Sequence, residues 1–265
     1  MFADKTYILD GAMGTMLQRY LSQDAGKRGS GGSNESLNLS DSGIIQRIHR
    51  EYIDAGADII ETNTFGANRI TQAEFGKAGE ASEMAAEGAR LAREAADRFA
   101  RGRKVLVAGS VGPASKSLSL CTDASDPSAR ALSFDELSAA YFEQIEALTA
   151  NGADLILLET CFDALNAKAA IYALENQSRR LPVIISVSCD THGRLLTGQS
   201  LRAFYESIRH ASPVAFGLNC SFGADGMERM MKEAASFSEV PLICYPNAGL
   251  PDESGNYLES PEEMA

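Results

Sequence analysis

Polar side chains stand where several predicted strands end, and their types suit the recognition of an amino acid. A Gly-containing turn such as Asp10-Gly11-Ala12 exposes backbone N–H groups that can hold a carboxylate. A buried glutamate at a neighbouring strand end can hold an ammonium group, and a cysteine there suggests a zinc ligand or a thiol nucleophile. The strand-end segments are Asp10-Gly11-Ala12, Glu61-Thr62-Asn63, Glu159-Thr160-Cys161, Asn219-Cys220-Ser221 and Tyr245-Pro246-Asn247-Ala248-Gly249.

Two of these carboxylates belong to an internal echo in the sequence. Gly-Ala-Asp58 leads into a strand that ends at Glu61, and Gly-Ala-Asp154 leads into a strand that ends at Glu159. The glutamates follow the aspartates by three and by five residues. Because side chains alternate along a strand with period two, both glutamates can face the same side. In a barrel of parallel strands that position is the C-terminal rim, where catalytic residues collect.

Short apolar runs alternate with amphipathic helical stretches along the chain, which predicts an α/β fold. Most runs are apolar throughout, as is typical of parallel strands that are buried on both faces. The first strand is followed by a single Gly-x-x-Gly, from Gly11 to Gly14, and the chain has no Walker lysine motif. These observations favour a (βα)8 TIM-type barrel over a doubly wound nucleotide-binding sheet. The predicted strands cover residues 7–10, 58–62, 105–110, 154–159, 183–188, 215–219 and 242–245, and the predicted helices cover residues 44–55, 80–99, 135–150, 166–175, 201–210 and 226–235.

The predicted strands number seven, one fewer than a (βα)8 barrel requires. Ser260, followed by Pro261 and two acidic residues, is a typical helix start, so the sequence ends as a seventh helix begins. We therefore expect residues 1–265 to form a single barrel domain that is truncated after strand seven and lacks strand eight. Because an open barrel has unpaired edges, we also expect lowered stability or oligomerisation through that edge.

The composition excludes several classes of partner. With 24 Lys and Arg against 36 Asp and Glu, the formal net charge is −12, which argues against nucleic acid and against an anionic membrane surface. No apolar run approaches the length of a spanning helix, and the N-terminus lacks the features of a secretory signal. The five cysteines are widely spaced and odd in number, which is typical of a reduced, cytoplasmic protein.

Several motifs follow one another in order over nearly the whole chain. They are Ile8-Leu-Asp-Gly-Ala-Met-Gly-Thr-Met16, Gly56-Ala-Asp-Ile-Ile-Glu-Thr-Asn-Thr-Phe65, Gly109-Ser-Val-Gly-Pro113, Glu159-Thr-Cys-Phe-Asp-Ala-Leu-Asn-Ala-Lys168, Gly198-Gln199, Gly217-Leu-Asn-Cys220 and Pro246-Asn-Ala-Gly-Leu-Pro251. This series resembles the homocysteine S-methyltransferase family, and most strongly the homocysteine-binding module of cobalamin-dependent methionine synthases.

The resemblance implies a barrel that binds homocysteine and zinc at its rim. Zinc would hold the homocysteine sulfur as a thiolate, which attacks a methyl group to give methionine. By the same resemblance, Cys220 matches a zinc ligand. Asp10, Gly11 and Ala12 match the turn that receives the amino-acid head, and Glu159 matches the carboxylate that takes its ammonium. The resemblance also places Asn247 beside the metal and Glu61 at the rim, with a less defined role.

The sequence departs from the family at the metal site. The family's other two zinc cysteines lie in a Gly-Gly-Cys-Cys-Gly segment of strand eight, and this chain contains no Cys-Cys pair. Cys161 and Cys244 lie near strand ends but are expected to be structural. The chain also carries no folate or cobalamin domain. The implied methyl donor, methylcobalamin, would therefore be bound by another domain or protein.

Three alternatives remain open from the sequence. The donor can instead be betaine or S-methylmethionine. The chain can be a catalytically incomplete homocysteine-binding or assembly module without functional zinc. An unrelated barrel lyase or aldolase is disfavoured, because Lys168 belongs to the helix after the fourth predicted strand and no strand-end lysine is available for a Schiff base.

Overall fold

A curled parallel sheet forms the centre of the protein. The structure is a computed structural model that describes residue 2, residues 5–23 and 32–250, residue 257 and residues 259–264. Six strands pair in chain order, each with the next, and every pairing is parallel. The strands are β1 (Ile59–Glu61), β2 (Leu106–Val111), β3 (Leu155–Cys161), β4 (Val183–Val187), β5 (Ala215–Cys220) and β6 (Leu242–Pro246). This half-barrel of strands is consistent with a truncated TIM-type barrel.

The first predicted strand, residues 7–10, is present as an extended segment and not as a strand of the sheet. It runs parallel to β1 through one bridge, between Leu9 and Ile59. The carbonyl of Ile8 accepts from the amides of Asp58 and Ile59 at 2.8 and 3.1 Å, and the amide of Asp10 donates to Ile59 at 2.9 Å. The prediction of seven strands is therefore not confirmed for the described residues, because this short segment forms too little of a ladder to count as one.

Helices connect the strands and cover the outside of the sheet. All six predicted helices are confirmed, each with its ends within two residues of the prediction. The helix that begins at Phe134 starts with a capping box, in which Ser133 and Glu136 form both reciprocal hydrogen bonds. The helices are α1 (Met13–Gln23), α2 (Leu37–Ser40), α3 (Ser42–Ala55), α4 (Arg69–Gln72), α5 (Ala81–Phe99), α6 (Phe134–Ala150), α7 (Ala164–Glu175), α8 (Leu201–Ile208), α9 (Ala224–Ala235) and α10 (Pro261–Met264).

Side chains alternate between the two faces of the strands, as period two requires. Residues such as Leu106, Leu157 and Ile184 form a cluster inside the curl, whereas their neighbours pack outward against the helices. β6 differs from β2–β5, because its outward-facing Leu242 and Cys244 are exposed. Inside the curl the side chains are apolar, except at the last inward-facing position of each strand, which carries a polar side chain.

None of the helices in the described ranges is long and apolar enough to cross a membrane.

Candidate functional site

A layer of polar side chains closes the inside of the curl at the carboxyl ends of the strands. Each strand supplies one of them at its last inward position, and an open cavity of about 510 Å³ lies above this layer. The six residues, one from each strand in order, are Glu61, Ser110, Glu159, Ser186, Asn219 and Tyr245.

The structure brings all the site residues of the sequence analysis to this cavity. They lie at the ends of five different extended segments of the chain, yet all of them line the same cavity. Asp10, Gly11, Ala12, Glu61, Glu159, Cys220 and Asn247 are all on its lining.

The turn at residues 10–12 is held between β1 and α3. The amide of Glu61 donates to both carboxylate oxygens of Asp10, at 3.1 and 3.0 Å. The hydroxyl of Tyr52, on α3, donates to the carbonyl of Ala12 at 3.2 Å. Gly11 is needed because a Cβ there would lie 2.9 Å from the Tyr52 hydroxyl oxygen. The turn leads directly into α1, whose first amides have no partner within the helix and so favour an anion.

Three carboxyl groups face one another across the cavity, and each is shifted towards its neutral form. Burial, above all, raises the pKa of Asp10 well above its usual range, and the charge of Glu159 raises it further. The pKa of Glu61 is raised by burial and then by repulsion from Glu159 and Asp10. Burial also raises the pKa of Glu159 to about 7. No Lys, Arg or His lines the cavity among the described residues, so the cluster is suited to a cationic ligand.

Hydrogen bonds connect the polar layer across the sheet. Glu159 accepts from the hydroxyl of Ser110 and, at 3.4 Å, from that of Tyr245. The hydroxyls of Tyr245 and Ser186 are 2.8 Å apart, and Ser186 donates to the side-chain carbonyl of Asn219. Strands β2 to β6 are therefore linked by one continuous network at the floor of the cavity.

The ends of β3 and β5 hold an uncommon backbone conformation beside this network. Thr160 has φ of 56° and Cys220 has φ of 53°, both in the left-handed region that residues with a Cβ seldom adopt. The amide nitrogen of the Asn219 side chain donates to Thr160 Oγ1 at 2.8 Å and to Cys220 Sγ at 3.2 Å. The Asn219 side chain thus ties the two strand ends together. Burial, followed by the charge of Glu159, raises the pKa of the Cys220 thiol.

The described residues do not by themselves fit a zinc site. Within these residues there is no group of three His, Cys, Asp or Glu side chains that could hold a metal ion, whereas zinc takes at least three protein ligands. Cys220 lies on the cavity, but Cys161 belongs to the outer core and Cys244 is exposed on β6.

The wall of the cavity after β1 is stabilised by buried polar side chains. Glu35 accepts from the amide of Gly66 at 2.7 Å and from Gln72 at 3.3 Å. Asn38 and Asn63 bond each other, and Asn38 also donates to the carbonyls of Asn63 and Met84. These contacts fix the connection that follows Glu61.

Sequence reasoning missed three residues that the geometry makes part of the site. Tyr52 lies on a helix and Ser186 lies within a strand, and neither was singled out. Tyr245 was noted only as part of a strand-end segment. A signal existed for Ser186, which is the single polar residue in the apolar run Val183-Ile-Ile-Ser-Val187.

Comparison with known proteins shows the family and the fold of the chain. The sequence matches the homocysteine S-methyltransferase family over residues 7–265. Crystal structures of the homocysteine methyltransferase MmuM from Escherichia coli are similar in fold at 25% identity. The oxidised form has a TM-score of 0.74 over 92% of this chain and 84% of that chain. The metallated form has a TM-score of 0.74 over 93% and 85%, and the apo form 0.69 over 92% and 83%. The chain belongs to the homocysteine S-methyltransferase family.

Proposed function

We propose that this member of the homocysteine S-methyltransferase family binds homocysteine in the rim cavity and transfers a methyl group to its sulfur, giving methionine. The observation that carries the proposal is the cluster of Asp10, Glu61 and Glu159 beside the first turn of α1. One side of the cavity suits a cation and the other suits an anion. A zwitterionic amino-acid head satisfies both.

The geometry supports specific positions for the two ends of that head. The ammonium group pairs with Glu159, with Glu61 and Asp10 adding negative charge around it. The carboxylate lies against the amides of Gly11, Ala12 and the start of α1, where the helix dipole favours it. The side chain of the substrate then extends towards Cys220 and Asn247, which lie on the same cavity. The thiol gives its proton to solvent water, the sulfur forms its bond to the methyl group, and the electron pair of the broken methyl–donor bond leaves with the donor.

We propose that Cys220 is one ligand of a zinc ion in this site. The metallated MmuM structure supports a metal in the family. The remaining ligands would have to come from outside the described residues. Asn247 is proposed to stand beside the metal.

We propose methylcobalamin, bound by a separate domain or protein, as the methyl donor. Two observations support a large donor. The motifs after Glu159 and after Pro246 resemble those of the cobalamin-dependent enzymes. In addition, large apolar side chains are exposed after the carboxyl ends of the strands, in the connections or, for Leu165, in the first turn of α7, where a macromolecular partner could cover them. These side chains are Phe65, Leu120, Leu165, Leu196 and Leu250.

A second candidate function is homocysteine binding without catalysis. The observation that favours it is that Cys220 is the single cysteine on the cavity among the described residues, which include no group of three side chains able to hold a metal ion. Betaine and S-methylmethionine remain the alternative donors if the chain is catalytic.

The test combines binding, metal content and turnover on the purified chain. Calorimetry measures homocysteine binding, and elemental analysis measures zinc with and without homocysteine. Methionine formation is then followed with methylcobalamin, betaine and S-methylmethionine as separate donors. Binding together with methionine formation supports the methyltransferase. Binding with neither zinc nor methionine supports the non-catalytic module, and absence of binding refutes both.

A further inference from the structure

The hydroxyl of Tyr245 links Glu159 to Ser186 within the polar network. Its hydroxyl lies 3.4 Å from Glu159 Oε2 and 2.8 Å from Ser186 Oγ, so it stands between the proposed ammonium-binding carboxylate and the hydroxyl of Ser186. It comes from β6, at the opposite side of the curled sheet from β1. The ring is partly buried in the apolar cluster inside the curl, which fixes the direction of the hydroxyl.

The hydrogen atoms in this network can be assigned from its acceptors. The amide of Thr160 donates to Asn219 Oδ1 at 3.0 Å, which fixes the orientation of the Asn219 side chain. An amide oxygen can only accept, so the hydrogen of the Ser186 hydroxyl is committed to Asn219. The single hydrogen of Tyr245 then has two acceptors to choose between, Ser186 and Glu159.

A cationic ligand makes Glu159 the preferred acceptor for the Tyr245 hydroxyl. When an ammonium group pairs with Glu159, the carboxylate is charged, and a hydrogen bond to a charged acceptor is stronger than one to a neutral hydroxyl. The Tyr245 hydroxyl then donates to Glu159. Together with the hydroxyl of Ser110, which donates to the other carboxylate oxygen, it fixes the orientation of the carboxylate, whose remaining lone pairs can accept from the ammonium.

We propose that Tyr245 is a positioning residue that orients Glu159 towards the ammonium of the substrate, and that it thereby sets the preference of the site for ligands that carry an amino group. The inference rests on the proposed function, because it takes homocysteine as the ligand. It assigns to Tyr245 no contact with the reacting sulfur or methyl group.

The test compares two ligands that differ only in the amino group. Homocysteine carries it, and 4-mercaptobutanoic acid has the same thiol and carboxylate without it. Calorimetry gives the dissociation constants of both for the wild-type chain and for Tyr245→Phe. We expect the substitution to weaken homocysteine binding by about tenfold, equal to about 1.4 kcal/mol. Binding of 4-mercaptobutanoic acid should change by less than about twofold, since Glu159 has no ammonium to meet.

Tyr205→Phe is the matched control. Tyr205 is a buried tyrosine on α8 whose hydroxyl accepts from the amide of Glu239 at 3.0 Å, away from the cavity. Its loss tests the general effect of removing one tyrosine hydroxyl. It should leave the ratio of the two dissociation constants unchanged.

The outcomes separate this inference from the proposed function. If the wild-type chain does not bind homocysteine, the proposed function is refuted and the inference with it. If it binds homocysteine and Tyr245→Phe keeps the wild-type ratio, or weakens both ligands equally, the inference alone is overturned. Should Tyr245→Phe fail to fold, Ser186→Ala decides. It leaves Glu159 as the remaining acceptor for Tyr245, so the preference for homocysteine should stay at or above that of the wild type, and a fall overturns the inference.

Discussion

Replacing Glu159 with glutamine should stabilise the ligand-free protein at neutral and alkaline pH while weakening its binding of homocysteine. Burial raises the pKa of Glu159 from 4.5 to about 7, so the folded chain holds this proton more tightly than the unfolded chain does. The stability that the proton contributes is complete below pH 4.5 and is lost as the pH rises towards 7. Glutamine has no such proton. Between pH 5 and pH 8 the wild type should therefore lose about 2.5 kcal/mol relative to Glu159→Gln.

Removal of the charge has a second effect in the same direction. Glu159 is among the causes that raise the pKa of both Asp10 and Glu61. With glutamine at position 159 these two groups ionise at lower cost, which adds to the gain in stability. Homocysteine binding should nevertheless fall by tenfold or more, because the ammonium loses its proposed partner.

Urea denaturation of both proteins at pH 5, 6, 7 and 8 measures the difference directly. A melting experiment should show the corresponding gap widening by about 5–10 °C between pH 5 and pH 8. Glu146→Gln, at an exposed position in α6, is the control and should follow the wild type at every pH. A stability difference between Glu159→Gln and wild type that does not change with pH would refute the reasoning, because it would mean that Glu159 is not held neutral in the folded chain.

Three further predictions follow from other parts of the structure. Gly11→Ala should weaken homocysteine binding at least about tenfold in calorimetry, because its Cβ would displace Tyr52. Gly14→Ala is the control and should leave binding unchanged, because its Cβ would meet only Asn34 Nδ2 at 3.6 Å. Equal effects of the two substitutions would contradict this prediction. His49 is fully buried with neither ring nitrogen hydrogen-bonded, and burial lowers its pKa to about 4, so stability should fall by up to about 3 kcal/mol as the pH drops from 6.5 to 4. His49→Met should abolish that part of the acid sensitivity in urea titrations. Sedimentation should show association at increasing protein concentration, through the side of β6 where Leu242 is exposed; a chain that stays monomeric and melts well above the mesophile range would oppose this.

The sequence predicted the strand-end carboxylates because they follow from a local rule. Alternation along a strand places Glu61 and Glu159 on the inner face whatever the rest of the chain does, and parallel strands bring their carboxyl ends to one rim. The helices were predicted for the same reason, since their apolar periodicity and the capping box at Ser133 are properties of short segments.

The remaining parts of the site depend on contacts between distant segments. Tyr245 meets Glu159 across 86 residues of sequence and Ser186 across 59, and no periodicity within β6 indicates either contact. Residues 7–10 form only one bridge because of how little of β1 they pair with. The local apolar character of the segment does not show this. Cys161 likewise lies at a predicted strand end, but the register of β3 against β4 shifts between Leu158 and Cys161, and the side chain joins the outer core.

Two unfavourable contributions to the free energy of folding occur at the same strand ends of the rim, namely backbone strain and repulsion between carboxylates. Thr160, Cys220 and Ser221 hold positive φ values of 56°, 53° and 63°, and such residues cost on the order of 1–3 kcal/mol each. The carboxyl groups of Glu159 and Glu61, which repel each other when both are ionised, lie on the same cavity. A site that only supported the barrel would have no reason to collect both in one layer. The left-handed turns place the Thr160 amide and Cys220 Sγ against the side chain of Asn219, and a bound ammonium neutralises the carboxylates. By the proposed function, an amino acid in the cavity relieves the repulsion between the carboxylates and leaves the backbone strain in place, so homocysteine should raise the free energy of unfolding by an amount that its affinity and concentration set.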